Sequence, residues 1–583
     1  MQLLAYPRES RLLDGRWQAI PDQYESFDDP YSDVADEDGM VSGSPIKPIY
    51  TQNESNKSKL ADFNIEEGYS VAIPSSWGEE LPEFRHYEGR VWFAKRFTWT
   101  PKKENSRSLI RFGAVNYKAK VWLNGELVGV HEGGFTPFTI DVSEVLTDGH
   151  NNLIVQVDNS RYEDGIPAKA TDWYNFGGIT RSVELISVPQ AYIRNYKIDT
   201  SIDHGEIVVT VSVWLEGTNT KPSVRAAFPE LQHDVELLHG DDSAYVGELR
   251  MSPDEVELWH PSEPHLYTIQ IEAGEDRIQD EIGLREVQVV DCEIYLNGEP
   301  IELQGISLHE ESAGKGRALD SEDIETRFEW IKELGCNFAR LAHYPHTEEM
   351  ARKADEEGIL LWEEVPAYWD IKFGNPEVQK LYCQQLRELI QRDWNRPSVI
   401  LWSIANETDY SDEKRNKILP EMVEYVQTID DTRLVTAACF ASKTDEGITI
   451  EDPLEDCLDV VGVNEYFGWY YGESTDMNRF QDDPNGKPII ISETGGGAKW
   501  GFHGSKNERW TEEFQARIYR DQINAIKTKG QIVGMTPWIL FDFRAPMRQN
   551  EYQRGYNRKG LIDQYGRKKK AYYVLRDFYR SVQ

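Results

Sequence analysis

The sequence predicts a multidomain protein in which two β-sandwiches precede a C-terminal (β/α)₈ (TIM) barrel. The chain has 583 residues, which is too long for a single hydrophobic core. Its first half contains short alternating segments separated by Gly, Pro and Asn, a pattern typical of β-sandwiches. After Asn297, apolar runs alternate with amphipathic stretches, which indicates a parallel barrel. We therefore expect three domains, at residues 1–189, 190–289 and 290–583.

The first sandwich is predicted from strand-like segments at residues 90–97, 119–123 and 152–157, with no helical periodicity between them. The dipeptide Asn124-Gly125 predicts a two-residue hairpin, because both central positions of that turn take a positive φ. These segments and turns together favour a domain built from strands.

The second sandwich is predicted from a strand-rich stretch that follows Pro189. Residues 205–213 read as a clear strand, and the stretch ends near residues 283–289. About 100 residues of strands without helices are typical of an immunoglobulin-like sandwich.

Eight apolar runs predict the strands of the barrel. They lie at residues 301–306, 337–341, 359–362, 399–406, 434–438, 458–464, 488–493 and 535–540. Amphipathic stretches separate most of them, such as residues 321–335, where Ser321 is the predicted helix N-cap and Gly335 the C-cap. Strands that alternate with helices in this way predict a parallel barrel.

Composition excludes several classes of function. The chain has 63 basic and 101 acidic residues and a net charge of -38, which would repel nucleic acids and anionic membranes. We therefore predict neither partner. No run of about 18 apolar residues and no signal peptide is seen, so we expect a cytoplasmic protein, or a periplasmic or secreted one if a leader has been removed.

The five cysteines are odd in number and widely spaced, which argues against a disulfide framework or a zinc site. We expect reduced thiols in the core. The sequence also lacks metal-binding motifs and glycine-rich nucleotide loops, so we predict no metal and no cofactor.

Two of the barrel strands stop on a glutamate, and these two residues are the strongest functional signal. The runs at 399–407 and 488–493 end in Glu407 and Glu493. In a (β/α)₈ barrel, reacting side chains project from the carboxyl ends of the strands, so both should open onto one face. A pair of carboxylates is what cleavage of a glycosidic bond requires. A separation of about 5–5.5 Å predicts retention of configuration, and about 6.5–9.5 Å predicts inversion.

Residues 393–407, with the sequence Asp-Trp-Asn-Arg-Pro-Ser-Val-Ile-Leu-Trp-Ser-Ile-Ala-Asn-Glu, resemble glycoside hydrolase family 2, as does the run at 488–493. This family of β-glucuronidases, β-galactosidases and β-mannosidases has a retaining mechanism. The runs at 133–138 and 177–181 resemble its sugar-binding jelly-roll domain. The resemblance covers nearly the whole chain, so it implies that the first sandwich is a jelly roll.

The resemblance also implies roles for individual residues. Glu407 would be the general acid/base and Glu493 the nucleophile, and Asn406 would contact the sugar 2-hydroxyl. Tyr466 would donate a hydrogen bond to the nucleophile. The further residues that it implies in the sugar site are His309, His343, Trp538 and Asp172.

The motif at residues 556–560 suggests the sugar, because it resembles the Asn-x-Lys pair with which bacterial β-glucuronidases of the family bind the C6 carboxylate. Asn557 and Lys559 match that pair, and Tyr470 matches a further contact on the carboxylate side. A buried carboxylate needs such a cationic partner. The resemblance thus implies a retaining exo-β-glucuronidase that acts on oligosaccharides or conjugates.

Alternatives remain at this stage. Some glucuronidases of the family carry a long loop where this chain has only the short segment 366–377, so the resemblance implies an open mouth here. An open mouth also fits an exo-β-galactosidase or a β-galacturonidase acting on algal or plant oligosaccharides. A catalytically inactive carbohydrate-binding protein is a third hypothesis, which the presence of both glutamates disfavours. We expect a homo-oligomer, either a dimer or a tetramer.

Overall fold

A computed structural model describes residues 7–23, 65, 68–100, 106–217, 221–240, 243–445, 447–481 and 485–582. The predicted fold class is confirmed in these ranges, since two β-sandwiches lead into a closed barrel of eight parallel strands. The following elements are therefore those of the described residues.

The first sandwich consists of two sheets that face each other across one core. Its elements are β1 Ser10–Leu12, β2 Gly15–Asp22, β3 Tyr69–Ile73, α1 Trp77–Glu80, a 3₁₀ helix at Pro82–Phe84, β4 Arg90–Trp99, β5 Ser106–Phe112, β6 Val115–Asn116, β7 Lys118–Leu123, β8 Glu126–Glu132, β9 Phe138–Asp141, β10 Gly149–Asp158, β11 Gly178–Ile179 and β12 Val183–Pro189. The sheet orders are β1-β12-β5-β9 and β3-β2-β4-β10-β7-β8, and β6 pairs with β11. Phe93 from one sheet and Phe112 from the other share the core.

The predicted hairpin at Asn124-Gly125 is confirmed. It joins β7 to β8, which pair antiparallel up to Leu123 opposite Glu126. Asn124 has a φ of 51° and Gly125 a φ of 99°, as this two-residue turn requires.

The second sandwich is a seven-stranded sheet whose two halves fold over a shared core. Its elements are β13 Tyr192–Asp203, β14 Glu206–Glu216, β15 Val224–Phe228, β16 His233–His239, β17 Ala244–Met251, a 3₁₀ helix at Pro253–Glu255, β18 Tyr267–Ala273 and β19 Asp276–Ile282. The strand order is β13-β14-β17-β16-β15-β18-β19. Side chains alternate between buried and exposed along β19, as expected when one face packs on a core.

A small antiparallel meander lies between the second sandwich and the barrel. Its strands are β20 Val287–Val290, β21 Glu293–Leu296 and β22 Glu299–Ile301. Ile294 and Leu296 pack in one apolar cluster with barrel residues such as Ile400 and Val460. The meander therefore covers the end of the barrel at which the strands begin.

The barrel closes through the pairing of its fourth strand with its fifth. Its strands are β23 Leu303–Leu308, β24 Phe338–Leu341, β25 Leu360–Glu364, β26 Val399–Asn406, β27 Leu434–Lys443, β29 Val460–Asn464, β30 Ile489–Glu493 and β31 Ile532–Met535, while β28 Ile448–Ile450 pairs antiparallel with β27. The order is β26-β25-β24-β23-β31-β30-β29-β27, and β26 also pairs with β27. A two-stranded ribbon of β32 Phe543–Arg544 and β33 Tyr556–Asn557 follows the eighth strand.

The barrel helices are α2 Ser321–Leu334, α3 Glu348–Glu357, α4 Pro376–Asp393, α5 Glu413–Ile429, α6 Glu512–Ile526 and α7 Lys570–Val582, with 3₁₀ helices at Pro453–Cys457 and Ser474–Arg479. The predicted N-cap of α2 is wrong by one residue. Asp320 caps the helix, because its side chain accepts a hydrogen bond from the Asp323 amide. The predicted C-cap is confirmed, since Gly335 has a φ of 84°.

The predicted eighth strand, at residues 535–540, is displaced from the observed one, Ile532–Met535. Trp538 thus lies beyond the strand rather than within it. The run is apolar because residues 536–540 are buried at the barrel mouth, where the Trp538 amide donates to the Thr494 carbonyl at 2.9 Å.

All five cysteines are free thiols, as predicted. The expectation that they are core residues is only partly correct, because Cys336 and Cys439 are buried but Cys457 is exposed. Across the described ranges, no helix is both long enough and apolar enough to span a membrane.

Candidate active site

Glu407 and Glu493 lie at the carboxyl ends of β26 and β30. Every residue of β26 is buried, and Glu407 follows directly after it in a left-handed conformation with a φ of 50°. Its amide donates to the Ala438 carbonyl at 2.9 Å, which holds this conformation. Such a backbone is costly for a residue other than glycine and is typical of functional positions. Glu493 is the last residue of β30 and is 5% exposed.

The buried guanidinium of Arg340 joins the ends of three strands. From β24, its Nη1 donates to Glu493 Oε1 at 2.9 Å and its Nη2 to Asn406 Oδ1 at 2.7 Å. Two further bonds of 3.1 Å reach the carboxylate of Glu364 at the end of β25. Planar bidentate donors of this kind fix carboxylates in position. Arg340 therefore orients Asn406 and Glu493 relative to each other.

The second oxygen of Glu493 accepts a hydrogen bond from Tyr466. The phenol lies 2.6 Å from Oε2, so both carboxylate oxygens have donors. Hydrogen bonds to both oxygens hold the carboxylate in one orientation. Burial and the charge of Glu493 raise the pKa of Tyr466 well above its usual value, so this phenol stays protonated and remains a donor. Glu493 is thus held at the strand end in the fixed orientation that a nucleophile needs.

The environment of Glu407 favours the protonated acid. Burial and then the negative charge of Glu493 raise its pKa above the usual value. The indole Nε1 of Trp369 donates to Oε2 at 2.9 Å and opposes that shift. A carboxyl group that its surroundings keep protonated can act as a general acid.

His343 lies between Glu364 and Glu493. Its Nδ1 is 2.7 Å from Glu364 Oε1, and its Nε2 is 3.7 Å from Glu493 Oε1. Although burial acts to raise the pKa of Glu364, Arg340 and His343 lower it to about 2. Because Glu364 is ionised and can only accept, Nδ1 of His343 carries the proton. Trp538 stacks on the imidazole with ring centres 4.7 Å apart.

His309 lies on the same wall and is neutral. Burial and then the proximity of His343 lower its pKa well below the usual value. Its Nδ1 is 3.0 Å from the Tyr344 hydroxyl. Its Nε2 and the Nδ2 of Asn406 are buried and have no hydrogen-bond partner in the described part of the chain. Buried polar atoms without a partner are rare in proteins, so these two atoms are candidates for contact with a ligand.

Lys559 lies on the other side of Tyr466. The residue is 4% exposed, and its Nζ donates to the Tyr470 hydroxyl at 2.7 Å. The ammonium also lies 4.9 Å from the ring centre of Tyr466 and 4.7 Å from that of Tyr470. Within the ranges that the structure describes, no carboxylate forms an ion pair with it. Lys559 is therefore a buried cation whose neighbours are phenol groups.

Asp172 reaches the barrel mouth from the first sandwich. Its two oxygens accept from Arg548 Nε at 2.8 Å and Nη2 at 2.6 Å. Asn557 Nδ2 donates to it at 3.0 Å, so the structure directs this amide nitrogen towards Asp172. The side-chain Oδ1 of Asn557 accepts a hydrogen bond from the Lys559 backbone amide at 3.2 Å, which fixes the turn between the two residues. Arg548 Nη1 also donates to the Tyr470 hydroxyl at 2.9 Å.

These contacts connect the other residues that the sequence proposed for the site, and Glu407 adjoins them as the chain neighbour of Asn406. The set is Glu407, Glu493, Asp172, His309, His343, Asn406, Tyr466, Tyr470, Trp538, Asn557 and Lys559. Sequence reasoning missed Arg340, Trp369 and Arg548. Arg340 could have been recognised because it is a charged residue inside an otherwise apolar strand. Trp369 and Arg548 lie in loops, where no pattern distinguishes them.

A (β/α)₈ barrel that carries paired carboxylates at the ends of its strands has the architecture of a glycoside hydrolase. The chain belongs to glycoside hydrolase family 2. Its residues 48–189 match the "Glycosyl hydrolases family 2, sugar binding domain" model, residues 191–285 the "Glycosyl hydrolases family 2" model, and residues 287–583 the "Glycosyl hydrolases family 2, TIM barrel domain" model. The predicted family is therefore confirmed.

Similar proteins align along most of the chain. A β-glucuronidase from Streptococcus agalactiae is 28% identical over 563 residues, which cover 87% of this chain and 91% of the relative. The structure of Bifidobacterium dentium β-glucuronidase complexed with coumarin-3-O-glucuronide has a TM-score of 0.85 at 26% identity and covers 99% of this chain and 98% of that one. A β-galacturonidase from Eisenbergiella tayi has a TM-score of 0.81 at 24% identity, with 100% and 99% coverage, and shares the fold.

Proposed function

We propose that the protein is a retaining exo-β-glucuronidase, which removes terminal β-D-glucuronic acid from oligosaccharides or conjugates by double displacement. The observation that carries the proposal is the buried ammonium of Lys559, which has no carboxylate partner among the described residues. A buried charge without a counter-ion is costly, and the C6 carboxylate of a uronide would supply that counter-ion. The named activity of the similar proteins supports the same conclusion.

In the first step, Glu493 attacks the anomeric carbon while Glu407 donates a proton to the leaving oxygen. The carboxylate of Glu493 becomes an ester and loses its negative charge. That charge is one of the two causes that raise the pKa of Glu407, so the pKa falls when the intermediate forms. Glu407 is then suited to accept a proton from the water that hydrolyses the intermediate.

The remaining polar groups suit a bound sugar ring. Nδ2 of Asn406 and Nε2 of His309 are buried and without a described partner, and sugar hydroxyls would provide one for each. Trp538 stacks on His343 and is placed at the barrel mouth, where an aromatic face suits the C–H groups of a sugar. In this proposal, Asp172 accepts from a sugar hydroxyl, and Tyr470 and Asn557 support the carboxylate side.

The substrate alternatives differ in what they offer Lys559. A β-galactoside has no carboxylate and would leave the ammonium buried without a counter-ion. A β-galacturonide carries the carboxylate and differs from a glucuronide at C4. The argument from charge therefore favours a uronide over a neutral sugar, and the similar β-glucuronidases favour the glucuronide.

The test compares p-nitrophenyl β-D-glucuronide, β-D-galacturonide and β-D-galactoside as substrates. We expect the glucuronide to give the highest kcat/KM. Lys559→Met removes the charge but keeps a long side chain, and should lower kcat/KM for the glucuronide by about 30- to 1,000-fold. Galactoside turnover by the same variant should change little.

Lys380→Met provides the matched control, because this exposed lysine on α4 pairs with Glu377 away from the strand ends. It should leave glucuronide turnover unchanged. If the wild-type enzyme turns over the galactoside faster than the glucuronide, the proposed function is wrong. Faster turnover of the galacturonide would replace the proposed sugar but not the role of Lys559.

The proposal also covers the cellular compartment and the oligomeric state of the protein. Five free cysteines fit a reducing compartment, which supports the cytoplasm. We also propose that the chain forms a homo-oligomer, either a dimer or a tetramer. Light scattering on the purified protein gives the mass of the assembly, and cell fractionation gives the compartment.

A further inference from the structure

We infer that a cavity beside Glu407 binds a sugar as the leaving group, so that the natural substrate is an oligosaccharide. The cavity has a volume of about 410 Å³, within the range of small-molecule sites. Its lining includes Asp164, Trp369, Asp370, Lys372, Asp409 and Lys414. The inference rests on the proposed function, because it concerns what is attached to the glucuronic acid.

Two residues of the cavity wall place the cavity next to the general acid. Trp369, whose indole donates to Glu407 Oε2 at 2.9 Å, forms part of the wall. Asp409 lies two residues after Glu407 and forms another part. A general acid must be within hydrogen-bond reach of the leaving oxygen, so the leaving group lies next to Glu407. The cavity shares no lining residue with the surroundings of Lys559, where the uronic acid carboxylate would bind.

The lining is polar and charged, which favours a sugar over a flat apolar group. Asp370, Asp409, Lys372 and Lys414 are exposed. Among the described residues, neither Lys372 nor Lys414 forms an ion pair. An apolar group would remove water from these charges without replacing its hydrogen bonds, whereas sugar hydroxyls can both donate and accept. The partly exposed indole of Trp369 adds a surface on which a sugar ring can stack.

Two domains contribute to the walls. Asp164 comes from the loop between β10 and β11 of the first sandwich, and the other lining residues come from the loops that follow β25 and β26 or from the start of α5. A sugar bound here would contact both domains while its glycosidic oxygen lies at Glu407.

The inference can be tested by adding acceptors that compete with water for the glycosyl-enzyme. This test does not require knowledge of how the natural substrate is linked. In the transfer reaction, the ester bond between Glu493 and the anomeric carbon breaks. A bond forms from that carbon to a hydroxyl oxygen of the acceptor, whose proton passes to Glu407. An acceptor that occupies the cavity should compete with water better than one that does not.

The experiment uses p-nitrophenyl β-D-glucuronide as the donor and glucose, galactose, xylose or methanol as acceptors at equal concentration. The ratio of transfer product to free glucuronic acid is measured by mass spectrometry. We expect at least one sugar to react with the glycosyl-enzyme roughly 10-fold better than methanol does, in line with binding through a few hydrogen bonds. The variants Asp370→Ala and Lys414→Ala should each reduce sugar transfer by about 3- to 10-fold.

In the same variants, the ratio of methanol transfer to hydrolysis should stay within about 2-fold of wild type, because neither methanol nor water needs the hydrogen bonds that the cavity offers a sugar. Lys380→Ala serves as the matched surface control. If methanol reacts with the glycosyl-enzyme as well as every sugar does, the inference is wrong. It is also wrong if the variants leave the ratio of sugar transfer to methanol transfer unchanged. If the enzyme cleaves a galactoside instead, the proposed function fails, and the acceptor comparison with a galactoside donor still decides the inference.

Discussion

The ends of β30 and β26 present the same side chain in two different environments. At the end of β30, Glu493 accepts hydrogen bonds from the cationic Arg340 and from Tyr466. At the end of β26, Glu407 accepts the neutral indole N–H of Trp369 and lies near the charge of Glu493. The comparison teaches that the neighbours of each carboxyl group, rather than its residue type, decide whether it serves as a nucleophile or as an acid.

Replacement of Glu493 tests the nucleophile side and should have the largest effect. Glu493→Gln keeps the shape of the side chain but removes the negative charge that attacks the anomeric carbon. We expect kcat for p-nitrophenyl β-D-glucuronide to fall on the order of 10⁴-fold or more. Glucuronic acid binding, measured by calorimetry, should persist. Unchanged hydrolysis would show that Glu493 is not the nucleophile, and no hydrolysis by the wild type would support a carbohydrate-binding protein.

Replacement of Glu407 tests the general acid/base. The effect should depend on whether water or azide reacts with the glycosyl-enzyme. Glu407→Gln should lower kcat by about 10²- to 10⁴-fold, because no base then activates water. With 2,4-dinitrophenyl β-D-glucuronide, whose leaving group needs no proton, the intermediate still forms. Azide needs no base and should restore turnover and yield β-D-glucuronosyl azide, which NMR identifies.

Glu493→Gln with azide is the matched control and should give no β-azide, because it forms no glycosyl-enzyme. If azide leaves Glu407→Gln at its reduced rate, or if both variants give the same product, the two carboxyl groups do not have the distinct roles that their surroundings indicate.

The smallest expected effect concerns the indole of Trp369. Its N–H stabilises the ionised form of Glu407 and so lowers the pKa of that group. Trp369→Phe removes the donor, so the pKa of Glu407 should rise further. Activity that requires protonated Glu407 should then persist to higher pH, and the alkaline limb of the kcat/KM profile should shift upwards. Trp500→Phe, at an exposed tryptophan, should leave the limb in place. A shift to lower pH would contradict the assignment.

The sequence predicted the order of the domains and the positions of both glutamates because these depend on strong local patterns. A strand buried on both faces has to be apolar throughout, so a terminal glutamate stands out, as at β26 and β30. The N-cap of α2 was misplaced because Ser321 and Asp320 are both good caps, and only the backbone geometry decides between them. The eighth strand was displaced because residues 536–540 are apolar for burial at the mouth and not for pairing in the barrel.

The contacts that tune the site could not be predicted in the same way. The bond from Trp369 to Glu407 and the pairing of Arg548 with Asp172 join loops that are distant in sequence. Neither loop has a periodicity that would fix its path. Asn557 is another example, because its motif implied contact with the C6 carboxylate of the sugar but not that its amide nitrogen would donate to Asp172.

Asp172 extends from the first sandwich to the barrel mouth, and this limits how the domains of such enzymes can be exchanged. Asp172 and Trp173 belong to the first sandwich, yet Asp172 binds Arg548 and Asn557, and the Trp173 ring lies 5.6 Å from that of His343. A barrel expressed alone would lack one wall of its own active site. A chimera that exchanges the sandwich for that of another family member therefore has to preserve this loop if the active site is to keep that wall.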